Sequence, residues 1–393
     1  MTLIDKVTIS GYRGARDVVL EPGSTCVLVG ESSSGKSTVL SAIWTLLEAA
    51  APMPTGEDVS RGHTRVHVEA VVGERTLFLD ARPPATLNLN REGAPPALFF
   101  PANLRPTTLL AAADHPAKRA IGVVRASETN DGGLSLVRSI AALDEARVRG
   151  LVILIEEPEL YLSPPAQRHL HRLLRRLSAR GRNQVLYSTH SPVFLGVDRL
   201  DELVLVRHDE RTGTRLLQPE ALSQKQASRM SAEIDAERAE IFLSRAVLFV
   251  EGRTEKLAFP FVFEALGYDA DQEAIAIVDC AGKGNMPLFA EICNGCGIPY
   301  MVVHDRDAPR GEEPAEAERI ANDTIIRVAG KRRSIMLIPD FEGVTGLKAR
   351  RGKPAAALRR FRSGNDDVPG PLREAVERVV AAARRAPRTT RGA

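Results

Sequence analysis

The spacing of apolar positions changes along this chain, and the changes predict alternating strands and helices. Residues 25–29 form a short, β-rich apolar run, and residues 39–50 are apolar at helical spacing. The run at 151–155 is purely aliphatic, which is typical of a strand buried on both faces of a parallel sheet. Downstream, the pattern predicts a basic amphipathic helix and two further strands, at 165–179, 184–188 and 202–207.

The N-terminal part has the pattern of one α/β domain, which we place at residues 1–222. Residues 3–29 contain alternating apolar stretches, which predict an antiparallel hairpin leading into the strand at 25–29. Residues 51–118 are rich in Pro, Gly, Asn and Arg and contain only short strand-like runs. We expect them to form a small irregular insert.

A second alternation of strands and helices begins at Arg245. The polar residues 223–244 before it predict a linker helix. The strand patterns AVLFVE, AIAIVD, IPYMVVHDRD and SIMLIP alternate with helical ones, which implies a parallel sheet covered on both faces. We place this second domain at 245–362 and expect residues 363–393 to form a basic, partly disordered tail.

Composition narrows the class of protein. The 393 residues are enough for two or three domains of about 100–200 residues each. No apolar run reaches the ~18 residues of a membrane span, and no signal pattern opens the chain, so we expect no membrane partner. Four cysteines are too few and too irregularly spaced for a disulfide framework, which favours the cytoplasm. Cys293 and Cys296 could be half of a zinc site, but the sequence offers no second pair, which favours an incidental helix pair.

Charge is distributed unevenly along the chain. The net charge is only +3, yet residues 343–393 hold 13 Lys+Arg against four Asp+Glu, a local excess of nine positive charges. Such a stretch predicts an electrostatic contact with a polyanion. For residues 381–393 a solvated, partly disordered tail is the favoured interpretation.

Residues 30–38 read GESSSGKST, which fits the phosphate-loop (P-loop) pattern G-x-x-x-x-G-K-[ST]. Only nine of the 53 basic residues are lysines, and one of them stands where this pattern requires it. Strand, loop and helix follow in the order that such a nucleotide site needs, which makes an ordinary glycine-serine turn the weaker interpretation. Lys36 would bridge the β- and γ-phosphates, and Ser37 would bind Mg²⁺. The predicted ATP-binding residues are Gly30, Glu31, Ser32, Ser33, Ser34, Gly35, Lys36, Ser37, Thr38 and Glu156.

Acidic residues follow the aliphatic strand at 151–155, which we expect to lie beside the P-loop strand. Glu156 would hold the metal directly or through water, and Glu157 would polarise the attacking water. His190 follows the next predicted strand, where a neutral imidazole could contact the γ-phosphate. A solvent-exposed strand end and a structural histidine are the alternatives.

A second set of acids lies at the predicted strand ends of the C-terminal domain. The carboxyl ends of parallel strands meet at one edge of a sheet, so these acids should converge there and repel each other unless cations neutralise them. Mg²⁺ or Mn²⁺ is the natural counterion, and two ions ~4 Å apart suit phosphodiester cleavage. Isolated surface charges are the alternative for each acid alone. The predicted metal ligands here are Glu251, Glu255, Asp305, Asp307, Asp340 and Glu342, with Glu251 and Asp305 also assigned as catalytic.

Several of these motifs together resemble one family. ISGYRGARD, GESSSGKST, IEEPELYL and STHSP resemble the ABC-type ATPases of the SMC-like and OLD (overcoming lysogenisation defect) group. EGRTE at 251–255, GKGN at 282–285 and DRD at 305–307, with the later acids Asp340 and Glu342, resemble the Toprim domain of OLD nucleases. This resemblance implies a downstream lysine that stabilises transition-state charge, for which Lys353 is the candidate and Lys348 the second choice.

The resemblance implies an ATP-controlled, divalent-metal-dependent DNA endonuclease in phage defence or DNA repair, using ATP and Mg²⁺ or Mn²⁺. It also implies DNA and a second copy of the chain as partners, with an accessory protein encoded nearby as a further candidate. The nearest match to the family's signature loop, residues 130–134, lacks its serine, and no Gln occurs between Val39 and Asn130. ATP binding is therefore predicted, while slow or impaired hydrolysis stays open.

Two other function classes fit parts of the sequence. An ATP-gated DNA-binding or scaffold protein with an inactive or weak Toprim module would account for the missing signature serine and glutamine. A Toprim primase or topoisomerase fits less well, because the chain offers neither a zinc module nor a tyrosine in a nucleophile's context.

Overall fold

The computed structural model describes residues 3–49, 51–102, 132–195, 199–220, 223–347, 353–362 and 368–386. The chain divides into two compact units, of which the second is Ser223–Ala386 and the first comprises the residues that precede it. None of the helices in these described stretches is long and apolar enough to cross a membrane.

The first unit contains two sheets. Its strands are β1 Lys6–Tyr12, β2 Ala15–Leu20, β3 Thr25–Val29, β4 Val66–Val72, β5 Arg75–Arg82, β6 Thr86–Asn90, β7 Ala97–Phe100, β8 Val152–Glu156, β9 Gln184–Thr189, β10 Leu203–Asp209 and β11 Gly213–Leu217. Its helices are α1 Lys36–Leu47, α2 Gly132–Glu145 and α3 Pro164–Gly181, with short 3₁₀ turns at Gly56–Asp58, Pro192–Phe194 and Leu200–Glu202.

The two sheets share one core around α1. One sheet is antiparallel in the order β2-β1-β4-β5-β6, and the other has the order β11-β10-β3-β9-β8-β7. In the second sheet every pairing is parallel except the β10–β11 hairpin. Helix α1 packs into a single cluster with residues of both sheets, and the Trp44 ring lies 5.5 Å from that of Phe99 on β7. Because apolar residues cover most of α1, burial between the sheets stabilises it.

The region expected to be an irregular insert is integral to the fold over its described part, residues 51–102. Strands β4 to β6 extend the sheet begun by the predicted hairpin, with Ile9 opposite Val68, and β7 pairs with β8 in the parallel sheet. Buried and half-buried residues alternate along β4, as expected for a strand with one covered face. Residues 103–118 of the expected insert lie outside the described residues.

The expected position of the acidic strand relative to the P-loop strand was wrong. Strand β9 lies between β3 and β8, with Val29 opposite Thr189 and Glu156 opposite Ser188. All three strands are parallel, so their carboxyl ends still meet at one edge. His190 is consequently placed between the P-loop and the acids, rather than beyond them.

The second unit is built on one parallel sheet. Its strands are β12 Ala246–Val250, β13 Ile275–Asp279, β14 Tyr300–Asp305 and β15 Ser334–Leu337, in the order β13-β12-β14-β15. Its helices are α4 Gln224–Glu233, α5 Arg253–Ala265, α6 Met286–Gly295, α7 Glu316–Ala329, α8 Phe341–Thr345, α9 Lys353–Arg362 and α10 Gly370–Arg385, with 3₁₀ turns at Arg238–Phe242 and Lys283–Asn285. The predicted alternation of strand and helix, and the parallel sheet, are confirmed.

Two segments differ from their sequence-based description. Within the expected tail 363–393, residues 370–385 form a helix whose apolar side packs on the sheet, with Leu372 and Val376 fully buried. The expected linker 223–244 is α4 and a 3₁₀ turn, and Arg238 donates to the Asp279 side chain at 2.9 Å. Both segments therefore belong to the second compact unit.

Candidate functional site

The P-loop backbone has a shape that glycine alone supports well. Gly35 has a φ of +106°, and a Cβ added there would overlap Thr214 Oγ1 on β11. Thr214 also donates a hydrogen bond to the Ser34 carbonyl at 3.1 Å. The β10–β11 hairpin thus fixes the loop, a contact that sequence analysis missed because Thr214 lies far along the chain and in no motif.

Lys36 begins α1 and is folded into the loop. Its Nζ donates to the carbonyl oxygens of Gly30 at 2.9 Å and Glu31 at 2.7 Å. Burial lowers the pKa of this ammonium to about 8, although the carboxylates of Glu157 and Glu159 oppose the shift. In the described part of the chain, the hydrogen bonds of this ammonium go to carbonyl oxygens, which phosphate oxygens could replace.

The other loop residues divide by exposure. Glu31 and Thr38 are half-buried, Ser32 and Ser33 are exposed, and Ser34 is buried. Among the described residues, the Ser34 hydroxyl oxygen has no hydrogen-bond partner. Residues 130 and 131 of the proposed signature loop lie outside the described residues.

Glu156 and Ser37 come together, as the predicted nucleotide–metal site requires. The Ser37 side chain hydrogen-bonds to the Glu156 carboxylate, which also accepts from the Ala102 N–H at 3.1 Å. Burial raises the pKa of Glu156. A carboxylate and a hydroxyl side by side offer hard oxygen ligands for Mg²⁺.

Glu157 and His190 face each other across the same edge. The His190 Nε2 lies 3.8 Å from the Glu157 Oε1, and each side chain is about one-third exposed. Burial, and then the charge of Lys36, lower the pKa of His190, which keeps the imidazole neutral at neutral pH. The predicted catalytic pair of this unit is therefore close enough to share a water or a phosphate oxygen.

Glu159 is a further contributor that sequence analysis did not assign to the site. Its carboxylate accepts from the His190 N–H at 2.6 Å and from the Thr189 hydroxyl at 2.9 Å. Burial raises its pKa. Glu159 thus ties the acidic turn after β8 to the end of β9. The sequence feature that could have identified Glu159 is its place in the acidic run EEPE at 156–159.

In the second unit, Glu251 and Asp305 meet at the carboxyl ends of β12 and β14. The Asp305 N–H donates to the Glu251 carboxylate at 3.4 Å, and the Asp305 carboxylate accepts from the Phe341 N–H at 2.9 Å. Burial raises the pKa of Asp305 to about 8, and the charge of Glu251 adds to the shift. Burial also raises the pKa of Glu251.

Glu255 and Asp340 complete the convergence of acids. Glu255 lies in the first turn of α5 and accepts from the Gly252 N–H at 3.2 Å. Burial raises the pKa of Glu255 to about 7, and the negative charges of Glu251 and Glu342 add to this increase. Asp340 caps α8 by accepting a hydrogen bond from the Gly343 N–H at 2.6 Å. Its negative charge also contributes to the raised pKa of Asp305.

Two lysines neutralise the remaining predicted ligands. The Lys283 ammonium, only 6% exposed, pairs with Asp307 and with Glu318 at 2.7 Å. Lys353 pairs with Glu342 at 2.7 Å, which places the predicted catalytic lysine at this edge. Lys283 and Glu318 were not predicted as site residues, although the GKGN motif pointed to the former. Lys348 lies outside the described residues.

The acids fit a hard divalent cation in chemistry but do not form a finished coordination sphere. In the described stretches, no three His, Cys, Asp or Glu side chains are arranged to hold one ion. The cluster around Asp305 nevertheless consists of carboxylates whose pKa values are raised by burial and mutual repulsion, which a cation would relieve. Cys293 and Cys296 are buried at the end of α6, and neither belongs to a disulfide within the described residues.

The fold and its two sheet edges define a P-loop ATPase unit followed by a Toprim-type unit. Comparison with family models agrees: residues 242–307 match the overcoming lysogenization defect protein-like TOPRIM domain, and residues 133–195 match an AAA ATPase domain. Residues 1–55 match a domain described as a protein of unknown function. The predicted resemblance to the OLD group is confirmed.

Curated relatives show the same likeness. An OLD nuclease of Thermus scotoductus is 34% identical over 213 residues, covering 50% of this chain and 40% of the relative. The Old nuclease of Escherichia phage P2 is 28% identical over 204 residues, covering 49% of this chain and 35% of the relative. The chain thus spans less than half the length of these two relatives.

Solved structures were also compared. The SMC head domain from Thermotoga maritima is 16% identical with a TM-score of 0.37, covering 56% of this chain and all of that one. The C-terminal region of the Burkholderia pseudomallei OLD protein is 18% identical with a TM-score of 0.31, covering 36% of this chain and 99% of that one. At these scores neither likeness carries an argument.

Proposed function

We propose that this chain is an ATP-controlled, divalent-metal-dependent DNA endonuclease. The observation that carries the proposal is the convergence of acids from separate elements around Asp305, at the carboxyl edge of the second sheet. Buried carboxylates that repel each other destabilise the fold, so such a cluster at one sheet edge favours a role in binding cations. Two relatives named as OLD nucleases align with about half of this chain, over 213 and 204 residues.

Glu251, Glu255, Asp305 and Asp340 would hold the cation. A bound divalent ion would supply Lewis-acid activation of water and neutralise the charge of the scissile phosphate. Lys353, beside Glu342 at the same edge, would add positive charge next to the phosphate as it becomes more negative. Lys283 fixes Asp307 through its buried ammonium and so positions one wall of the site.

In the first unit, the P-loop and Lys36 would bind the phosphates of ATP, while Ser37 and Glu156 would hold its Mg²⁺. Glu157 would polarise the attacking water, and the neutral imidazole of His190 would donate its N–H to a γ-phosphate oxygen. We further propose a homodimer and a cytoplasmic location. A role in phage defence or DNA repair, and an accessory protein partner, remain predictions.

A nucleotide-gated DNA-binding or scaffold protein is the second candidate function. One observation favours it: ammonium groups of Lys283 and Lys353 already neutralise Asp307 and Glu342, two of the six predicted metal ligands. If these pairs persist during turnover, fewer carboxylates are left to hold two ions.

Plasmid cleavage with Mg²⁺ or Mn²⁺, with and without ATP, tests the proposal. The wild-type chain should convert supercoiled DNA to nicked or linear forms, and Asp305→Asn should abolish the conversion. Asp323→Asn is the matched control, because Asp323 is an exposed acid paired with Arg319 on α7. Equal cleavage by wild type and Asp305→Asn would reject the assigned site, and DNA binding without cleavage by the wild type would favour the scaffold.

A further inference from the structure

Helix α3 carries an uninterrupted positive face. Its 18 residues include five arginines and no acidic residue. Four of the arginines recur every four residues and are all exposed, namely Arg168, Arg172, Arg176 and Arg180. On the opposite side, a stripe of leucines that includes Leu170 and Leu174 is fully buried and fixes the rotation of the helix.

This spacing sets the geometry of the charges. With a rise of ~1.5 Å per residue, successive arginines stand about 6 Å apart along the axis, and the whole row spans about 18 Å. Residues at i and i+4 form a continuous ridge on a helix surface. We call Arg168, Arg172, Arg176 and Arg180 the arginine ridge. Because the leucine stripe anchors α3, the backbone positions of these four arginines are fixed relative to each other.

Most of the ridge is not neutralised by the protein itself. Arg176 pairs with Asp144 of α2 at 3.0 Å. Among the described residues, no carboxylate lies within 4.0 Å of the guanidinium nitrogens of Arg168, Arg172 or Arg180. A shallow concavity of about 270 Å³ opens on the same helix, lined by His169, Arg172, Leu173, Arg175 and Arg176.

The C-terminal helix differs in this respect. In α10, Arg378 pairs with Glu374 and Arg384 pairs with Glu273. The basic segment that sequence analysis singled out therefore satisfies part of its charge within the second unit. The arginine ridge, in contrast, offers three exposed guanidinium groups for an external anion.

We propose that the arginine ridge binds the phosphate backbone of double-stranded DNA without sequence preference. The inference rests on the proposed function, since it supplies that nuclease with a DNA contact on its ATPase unit. Protein partners are recognised through buried apolar or aromatic anchors, whereas a nucleic-acid backbone needs only positive charge. Apart from the ridge, the exposed described residues of α3 are Pro164, Pro165, His169 and Ala179, which offer no such anchor.

The test is the salt dependence of DNA binding by the full chain. Fluorescence anisotropy with a labelled duplex in EDTA, without ATP, keeps the DNA intact. The triple variant Arg168→Gln, Arg172→Gln, Arg180→Gln removes three contacts. The slope of log K against log salt should become shallower by about 2.7, since each phosphate contact contributes about 0.9.

A control variant separates a local contact from net charge. Arg61, Arg75 and Arg82 are exposed arginines on or just before the antiparallel strands β4 and β5, and changing all three to Gln lowers the net charge equally. The slope for this control variant should differ from the wild-type slope by no more than about 0.9, the contribution of one phosphate contact. Equal slopes for the two triple variants would overturn the inference.

Failure of the nuclease proposal would look different. If the wild type binds DNA with the steep slope but never cleaves with Mg²⁺ or Mn²⁺, the ridge stands and the proposed activity fails. If the wild type cleaves and the ridge variant keeps the wild-type slope, the activity stands and the ridge fails. Thermal unfolding of each variant checks that the exposed substitutions leave the fold intact.

Discussion

Replacing Asp305 by asparagine tests the electrostatic basis of the proposed metal site. Asparagine keeps the size of the side chain and an oxygen to accept the Phe341 N–H, but it removes a charge that Glu251 and Glu255 repel. In metal-free buffer at neutral pH, we therefore expect Asp305→Asn to be more stable than the wild type, although it is inactive.

The magnitude follows from the pKa of Asp305, which is about 8 against an ordinary value of 3.8. Between these values the folded chain binds more protons than the unfolded chain, so the wild type loses stability as the pH rises. At pH 7 the loss is about 4 kcal/mol if Asp305 titrates alone. Neighbouring carboxylates share this shift and solvent screens part of it, so we expect a gain of about 1–3 kcal/mol. That gain raises Tm by about 3–10 °C.

Differential scanning calorimetry in EDTA, at several pH values between about 4 and 8, measures the effect. The wild-type transition of the second unit should fall in temperature across this range, and that of Asp305→Asn should fall less. Adding Mg²⁺ or Mn²⁺ should raise Tm of the wild type more than that of the variant. Asp323→Asn, in an exposed ion pair, should match the wild type throughout.

Two results would refute this reasoning. A lower Tm for Asp305→Asn in EDTA would mean that the carboxylate stabilises the metal-free fold, for example through its hydrogen bond to Phe341. An identical response of wild type and variant to Mg²⁺ and Mn²⁺ would mean that Asp305 does not contribute to cation binding.

Three further predictions concern the P-loop and the second core. Gly35→Ala should abolish ATP binding and destabilise the fold, because the new Cβ would overlap Thr214. Gly62 also has a positive φ but lies in open space, so Gly62→Ala should lower the free energy of unfolding by only about 1–2 kcal/mol. Lys36→Met should weaken ATP binding by about 10- to 100-fold in calorimetry, and an unchanged affinity would contradict the assigned role. Phe263→Ala should lower the free energy of unfolding, measured by chemical denaturation, by about 3–5 kcal/mol because the ring is fully buried. A decrease of less than ~1 kcal/mol would contradict the packing.

Local sequence patterns were enough to predict many of the elements and the positions of most chemical groups. Apolar periodicity reflects which faces an element buries, so it predicted β3, α1, α3, β9, β10 and the strands of the second sheet to within a few residues. It missed α10, which was assigned to a partly disordered tail, and it described β4 to β7 as short runs in an irregular insert. The P-loop was predictable because a local backbone shape requires its glycines and its lysine at fixed spacing. The strand-end acids Glu251 and Asp305 were predictable because parallel strands end at a common edge.

Which elements lie next to each other could be learned from the folded chain alone. Backbone hydrogen bonds are alike for any strand pair, so nothing local showed that β9 separates β3 from β8, or that β4 to β6 extend the first hairpin. In α10, abundant Arg and Ala made the helical spacing of the apolar residues hard to recognise in the sequence. In the folded chain these apolar residues pack in the core of the second unit. The ion pair of Lys283 and Glu318 could likewise not be predicted, because the two residues are far apart in sequence and meet only in the folded chain. The role of a charged residue depends on its burial and on its counterion, which the sequence alone does not give.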